Sequence, residues 1–367
     1  MYLLNFFISS LFLYLSEKNN KSKIKHYFFL VIALLTPSFL AGFRDYSNVN
    51  DVLLYGNYWF ERAVSYNSLY EYIIKANEYG IGAGYAFVNY VASRISTSPH
   101  FFYFLYELLL LIVLYAGLKP YRKNLNIAYA FLIFLFCYYN SSLNILRQIG
   151  AIVLILYSYQ FIVNSKFWKF LMAVTVASTF HNSAIVAIVI YPCYIAINSR
   201  LKKFFKVFIV VGAVIAIFGA ENIFNMLNSL KIMNLSRYQH YFSDTDVGGR
   251  FIRIIYWGVV TYLVIIQKKK LSLIELGKYR IFIWMCYLSL ILSFLSFIVS
   301  AWAIRIAFFF DIGQVITIPL IENCISFRIG NKKMNGFILA LIPFLYWLIT
   351  FIVRNGAATF PYVFMRS

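Results

Sequence analysis

The sequence is short of charge, shorter still of acid, and without any cysteine pattern that signals a metal or a disulfide. Only 13% of its 367 residues are charged, where soluble domains carry about 25%, so a water-exposed globular surface is excluded. Acids are the scarcer sign, 13 against 33 lysines and arginines. Four cysteines, Cys137, Cys193, Cys286 and Cys324, lie in or beside apolar runs with no CxxC spacing. Small core residues are expected there, and neither a zinc site nor a disulfide framework. The chain contains no HExxH, Walker A or GxSxG motif and no metal-spaced His/Cys cluster, so no metal or other cofactor is expected. It has no clear internal repeat, which counts against transporters built from paired halves. The first apolar run, 2–15, has no basic residue before it and no small-residue cleavage site, so a removable signal peptide is not expected.

What is abundant is apolar. Hydrophobic residues make up 62% of the chain, in recurring runs of roughly 15–20 residues, enough to cross a hydrocarbon core of about 30 Å. The fold class is an all-α polytopic membrane protein, a single integral membrane domain over 1–367. A net charge of +20 would suggest nucleic acid for a soluble protein. Here most of the excess flanks apolar runs, as the positive-inside rule expects, and no nucleic-acid partner is predicted. If the basic loops 18–25, 119–123, 166–169, 200–206, 268–280 and 328–333 are all cytoplasmic, they hold 17 lysines and 4 arginines, leaving 2 lysines and 10 arginines elsewhere. That arrangement predicts both termini outside and about twelve spans (11–14), near 1–16, 26–42, 98–118, 125–140, 148–164, 168–181, 183–198, 206–221, 252–267, 280–299, 302–321 and 334–353. The apolar segment 82–95 would break the alternation if it crossed. It reads as an amphipathic or re-entrant piece on the outer face, its glycines suited to close backbone packing. Loops 43–97 and 222–251 are long enough to act as outer lids. The inner loops are short and hold three acids, Glu17, Glu275 and Glu322, so chemistry is expected outside.

Lysine is a hydrated point charge, whereas arginine is a planar fork that binds phosphate through paired hydrogen bonds. Arginine enrichment on the non-lysine face therefore points to a phosphorylated ligand. Arg44 and Asp45 follow the second span, with Asp51 and Tyr55 downstream. They read either as a snorkelling arginine paired locally or as a phosphate fork with carboxylates that orient it or take a proton. Arg147 and Gln148 open a helix, where free backbone N–H groups already favour an anion. His181, in Phe180-His181-Asn182-Ser183-Ala184, is a structural histidine, a general base or a phosphate donor. Arg305 lies in an apolar run six residues before Asp311, and intramembrane charge is expensive enough to mark a site by default. Asp311 serves a different partner or neutralises a buried arginine. Arg250 and Arg253 form a candidate second anion clamp. Glu107 is an intramembrane acid without an evident partner. Asp244-Thr245-Asp246 looks like a DxD metal motif, but a local pair with Arg250 is the better reading. The tyrosines of 43–97 suit either an interfacial belt or a surface that stacks on sugars.

Taken in order, Phe43-Arg44-Asp45 with Asp51 and Tyr55, then Leu143-Asn144-Ile145-Leu146-Arg147-Gln148, then Phe180-His181-Asn182-Ser183-Ala184 resemble the EpsG-type branch of bacterial polysaccharide polymerases (Wzy-type), over roughly 40–320. Where that family shows Gly-Thr-Asp, this chain has Val49-Asn50-Asp51. The resemblance implies a GT-C-like architecture and a multi-pass protein of the bacterial cytoplasmic membrane, its site facing the periplasm or cell exterior. It implies polymerisation of O-antigen, capsule or exopolysaccharide repeat units carried on undecaprenyl pyrophosphate, which serves as both donor and acceptor, with a chain-length regulator as a further partner. On that reading Arg147 and Arg305, with Arg250 or Arg253, stabilise the departing pyrophosphate, Arg44, Gln148, Asp51 and Tyr55 bind substrate, and His181 or Asp45 takes the acceptor's proton. An O-antigen ligase-like transferase, a lipid-linked oligosaccharide flippase and a membrane O-acyltransferase are the competing readings.

Overall fold

The computed structural model describes residues 1–46, 51–199, 204, 246–271, 276–298, 302–322, 324, 328–329, 332–333 and 335–365. The expected span 206–221 and most of the loop 222–251 lie outside these. Among the described residues, five helices are long and apolar enough to cross a membrane, and six if one bent pair counts as a single span. The chain is an integral membrane protein, and its described residues are helical apart from turns and loops, a minimal antiparallel pairing of Arg328–Ile329 with Lys332–Lys333 and one isolated bridge between Arg44 and Phe364.

Helices α1 (Tyr2–Lys18) and α2 (Lys23–Gly42) form an antiparallel hairpin. Serines on α1 (Ser9, Ser10, Ser16) are buried, and small residues let membrane helices approach closely. Ser9 has a second role. Pro37 in α2 has no N–H for the carbonyl four residues earlier, and in lipid that carbonyl needs another donor. The hydroxyl of Ser9 donates to it, at Ala33.

Between α2 and the next long helix the chain makes a π-helical turn, Val52–Asn57, then α3 (Tyr58–Ser65), α4 (Leu69–Glu78) and α5 (Ala83–Ile95). Thirteen residues of helix rise about 20 Å, too little to span. The 82–95 segment is thus a short helix, packed on α3, α4 and the end of α9 described below. Its glycines do allow close approach: a methyl group on Gly82 would collide with the carbonyl of Thr179, and one on Gly84 with the Thr179 hydroxyl and the Phe180 ring.

Helix α6 (Pro99–Leu118) packs on α2, and α7 (Ile127–Phe134) runs through a π turn, Leu135–Tyr139, to Ser142. Every residue of 127–142 except Leu132 is buried, making this segment the centre of the core. After a break at 143–145 come α8 (Leu146–Val163) and α9 (Phe167–Phe180). The expected span 183–198 divides into a 3-10 turn, Asn182–Val189, and α10 (Ile190–Asn198).

Helices α11 (Val247–Leu271) and α12 (Leu276–Ile298) pair, and α12 also packs on α13 (Trp302–Asp311). The expected straight span 302–321 is instead α13 and α14 (Gln314–Glu322), meeting at 45°. Gly313 marks the bend, where a Cβ would stand 2.9 Å from the Met285 sulfur. Last come α15 (Asn335–Trp347), a π turn Leu348–Val353, and a non-helical tail. All four cysteines are buried and free.

Candidate functional site

Four segments far apart in sequence (51–85, 144–148, 181 and 305) meet around an open cleft of about 280 Å3, part of it continuous with the exterior. Its charged and titratable lining is Asp51, Arg147, His181 and Arg305. Tyr55, Tyr85, Asn144 and Gln148 complete the polar wall.

Arg147 is the second residue of α8, behind the break at 143–145. Its Nη1 donates to the Gly80 carbonyl (3.1 Å) and its guanidinium lies over the Tyr55 ring, 4.0 Å from the centroid. Both supports come from the 51–81 segment. Gly80 caps α4 in the left-handed conformation (φ 76°), with Ile81 N–H donating to Ala76 O and Gly80 N–H to Asn77 O, a turn that favours glycine. The opposite edge of the fork is left to the cleft, at a helix N-terminus already disposed to hold an anion.

Arg305 arrives from α13 and is locked to Gln148. Arg305 Nη1 donates to Gln148 Oε1 (3.0 Å), and Gln148 Nε2 donates to the Arg305 carbonyl (2.9 Å). Gln148 is almost fully buried, so its amide orients Arg305 and is not presented to a ligand. His181 sits at the break between α9 and the following 3-10 turn, outside both, with extended backbone. Its Nδ1 is 2.6 Å from the Ser183 hydroxyl. With Nδ1–H donating to Ser183, Nε2 is the basic nitrogen; in the other tautomer Nε2–H is a donor. Burial, then Arg147 and Arg305, lowers this imidazole from its ordinary value to about 3. The histidine is therefore neutral at physiological pH, as a general base must be.

Arg147, Gln148, His181, Arg305, Asp51 and Tyr55 are thus brought together from the residues singled out in the sequence. Four others are not. Arg44 is buried away from the cleft, donating to Leu143 O (3.4 Å) and Ala358 O (2.7 Å) with its charge 5.0 Å from the Tyr46 ring; its fork is occupied by backbone, so it is not the phosphate fork expected. Asp45, expected as a base, does not line the cleft, and its N–H is fixed on Val363 O (2.9 Å). The expected clamp of Arg250 and Arg253 is likewise elsewhere. Arg253 makes a buried ion pair with Asp311 and lies over Phe308, and Arg250 donates to Ser296 O (3.3 Å). Asp311 thus answers Arg253, not Arg305. Glu107 does have a partner, the Ser142 hydroxyl (2.8 Å). Asp244 lies outside the described residues, and Asp246 pairs with Arg354. Asn144 and Tyr85 were missed. Asn144 lies inside the second motif beside the more conspicuous Arg147, and Tyr85 is one of many tyrosines in 43–97, with nothing in the sequence to single it out.

The cleft of this integral membrane protein thus gathers a part-buried, uncharged imidazole and two arginines, one of them at a helix N-terminus. The EpsG family model matches residues 26–364, and the chain belongs to the EpsG family, of polysaccharide-polymerase type. No curated protein and no solved structure matches the chain.

Proposed function

We propose that this protein is a repeat-unit polysaccharide polymerase. It would transfer a glycan chain from undecaprenyl pyrophosphate to the next lipid-linked repeat unit, at the outer face of the bacterial cytoplasmic membrane. The observation that carries the reading is the convergence of Arg147, Arg305 and His181 on one cleft, in a chain of this family. About twelve spans of GT-C-like arrangement, with the lysine-rich loops cytoplasmic, would place the cleft outside. The products would be O-antigen, capsule or exopolysaccharide.

In the proposed step, an acceptor hydroxyl oxygen attacks the anomeric carbon at the reducing end of the donor chain. The bond from that carbon to the pyrophosphate oxygen breaks, and the pyrophosphate leaves with the electron pair. Arg147 and Arg305 neutralise it, the kind of preorganised stabilisation that is commonly the largest catalytic contribution. His181 takes the hydroxyl proton, and Asp51, the carboxylate at the cleft, orients the imidazolium or the acceptor sugar. Tyr55 and Tyr85 shape the sugar side. Burial is the main cause that holds the imidazole pKa down, and binding of the pyrophosphate would offset the two arginine charges that add to it, raising the basicity of His181 by that part.

The test is deletion of the gene, complementation, and electrophoresis of the surface glycan. A lost ladder with a single repeat retained supports polymerase, and restoration by wild type but not by His181→Ala ties it to the cleft. Loss of all glycan would instead indicate a flippase or a ligase-like transferase.

A further inference from the structure

The break at 143–145 aims Arg147, so whatever fixes that break fixes the arginine. The tail after Arg354 runs back across the cleft end of the bundle to reach it. The Asn144 side chain donates to Ala357 O (3.1 Å) and Asn140 to the Thr359 hydroxyl (2.8 Å). Arg44 ties the two together, one amino group on Leu143 O and the other on Ala358 O. Leu143 follows the last turn of the 127–142 helix, a carbonyl-rich negative end that favours a cation. The Ala358 carbonyl comes from a residue at φ 52°, a left-handed conformation that L-residues rarely adopt. Such outliers persist where surrounding structure holds them and cluster at functional sites. The tail is held at its far end too: Asp45 N–H donates to Val363 O (2.9 Å) and Met365 N–H to Phe43 O (2.8 Å), bracketing Arg44. Tyr2 OH donates to Thr359 O (2.8 Å).

We infer that Arg44 is a positioning residue that acts through the tail: with 355–365 it forms a strap across the 143–145 break, setting the angle at which Arg147 meets the leaving pyrophosphate. This deepens the polymerase reading and rests on it. A lysine cannot replace Arg44, because one ammonium on a flexible stem does not bridge two carbonyls as a planar fork does.

The test uses the full chain with Arg44→Ala, Arg44→Lys, the paired change Tyr2→Phe with Thr359→Val, and their combination. Amide hydrogen exchange of 141–148 is read on the purified protein, and polymerisation on lipid-linked repeat units extracted from the host. Each variant is expected to speed exchange at 141–148. Each should lower kcat by up to about 100-fold, the size that a small misplacement of a catalytic group produces, with KM nearly unchanged. The paired tail change, which leaves Arg44 intact and removes two hydroxyls only, guards against loss of folding in Arg44→Ala. Because both act on one strap, the combination should be no worse than the poorer of its parts. Additive losses, or a lower kcat with unchanged exchange, would overturn the proposal, as would full activity in Arg44→Lys. Exchange is read independently of activity, so a failed polymerase reading (Arg147→Ala still giving a full ladder) is distinct from a failed strap.

Discussion

An arginine can recognise a ligand only with the N–H groups its own protein has left over. Arg44 and Arg147 looked alike in the sequence, both near the end of an apolar run and both in a motif. They differ because two carbonyls occupy Arg44, whereas Arg147 spends one donor on Gly80 and rests its face on Tyr55. Nothing local in the sequence shows that the Arg44 fork is taken, since the carbonyl that claims it most closely belongs to Ala358. What could be read from the sequence was the helix N-terminus beneath Arg147 and the polar cluster around His181. Arg147→Lys keeps the charge and loses the fork. It should reduce polymerisation by about 100- to 1000-fold, the range for removing a preorganised donor, and a gel ladder collapsed to short chains would show it; full-length polymer would count against the clamp. The electrostatics of His181 give a second prediction. Arg305→Gln removes a charge that depresses the imidazole, so its pKa should rise, and the neutral form should be lost at a higher pH on acidification. An NMR titration of His181 that moves downward or not at all would contradict this.

At the scale of elements, the helices were largely legible and their interruptions were not. Period and length located α1, α2, α6 and α8 because lipid demands long apolar runs. The bend between α13 and α14 was invisible, because it depends on Gly313 facing Met285 and on Asp311 turning to Arg253, contacts made by other helices. That ion pair is buried on both sides, and removing one partner strands a charge. Arg253→Met alone should cost about 3–5 kcal/mol, and Arg253→Met with Asp311→Leu should recover most of it; detergent melting curves of the three proteins would decide. The seat of α5 is equally specific. Gly82→Ala would drive a methyl into the Thr179 carbonyl and is expected to cost about 1–3 kcal/mol as overpacking. It should also impair activity, because His181 directly follows α9 and α5 carries Tyr85. An unchanged melting temperature would mean that the two helices do not pack as described.

For the whole molecule, the division between lysine-rich and arginine-rich ends remains the argument for sidedness. Positions 67 and 166 are both exposed and belong to opposite ends on that argument, while the native cysteines are buried. Asn67→Cys should react with a membrane-impermeant maleimide in intact cells, and Lys166→Cys only after permeabilisation; the reverse labelling would invert the proposed orientation. The link between Tyr2 and Thr359 joins residues 357 positions apart, and the Arg44–Ala358 link spans 314. During synthesis the first helix enters the membrane long before its partner has been translated. A nascent chain therefore holds Arg147 and His181 without the segment that braces their surroundings, and the cleft takes its final form only once residues 355–365 have been made. On the proposed function, competence would then appear only after that segment has joined the helices made long before it.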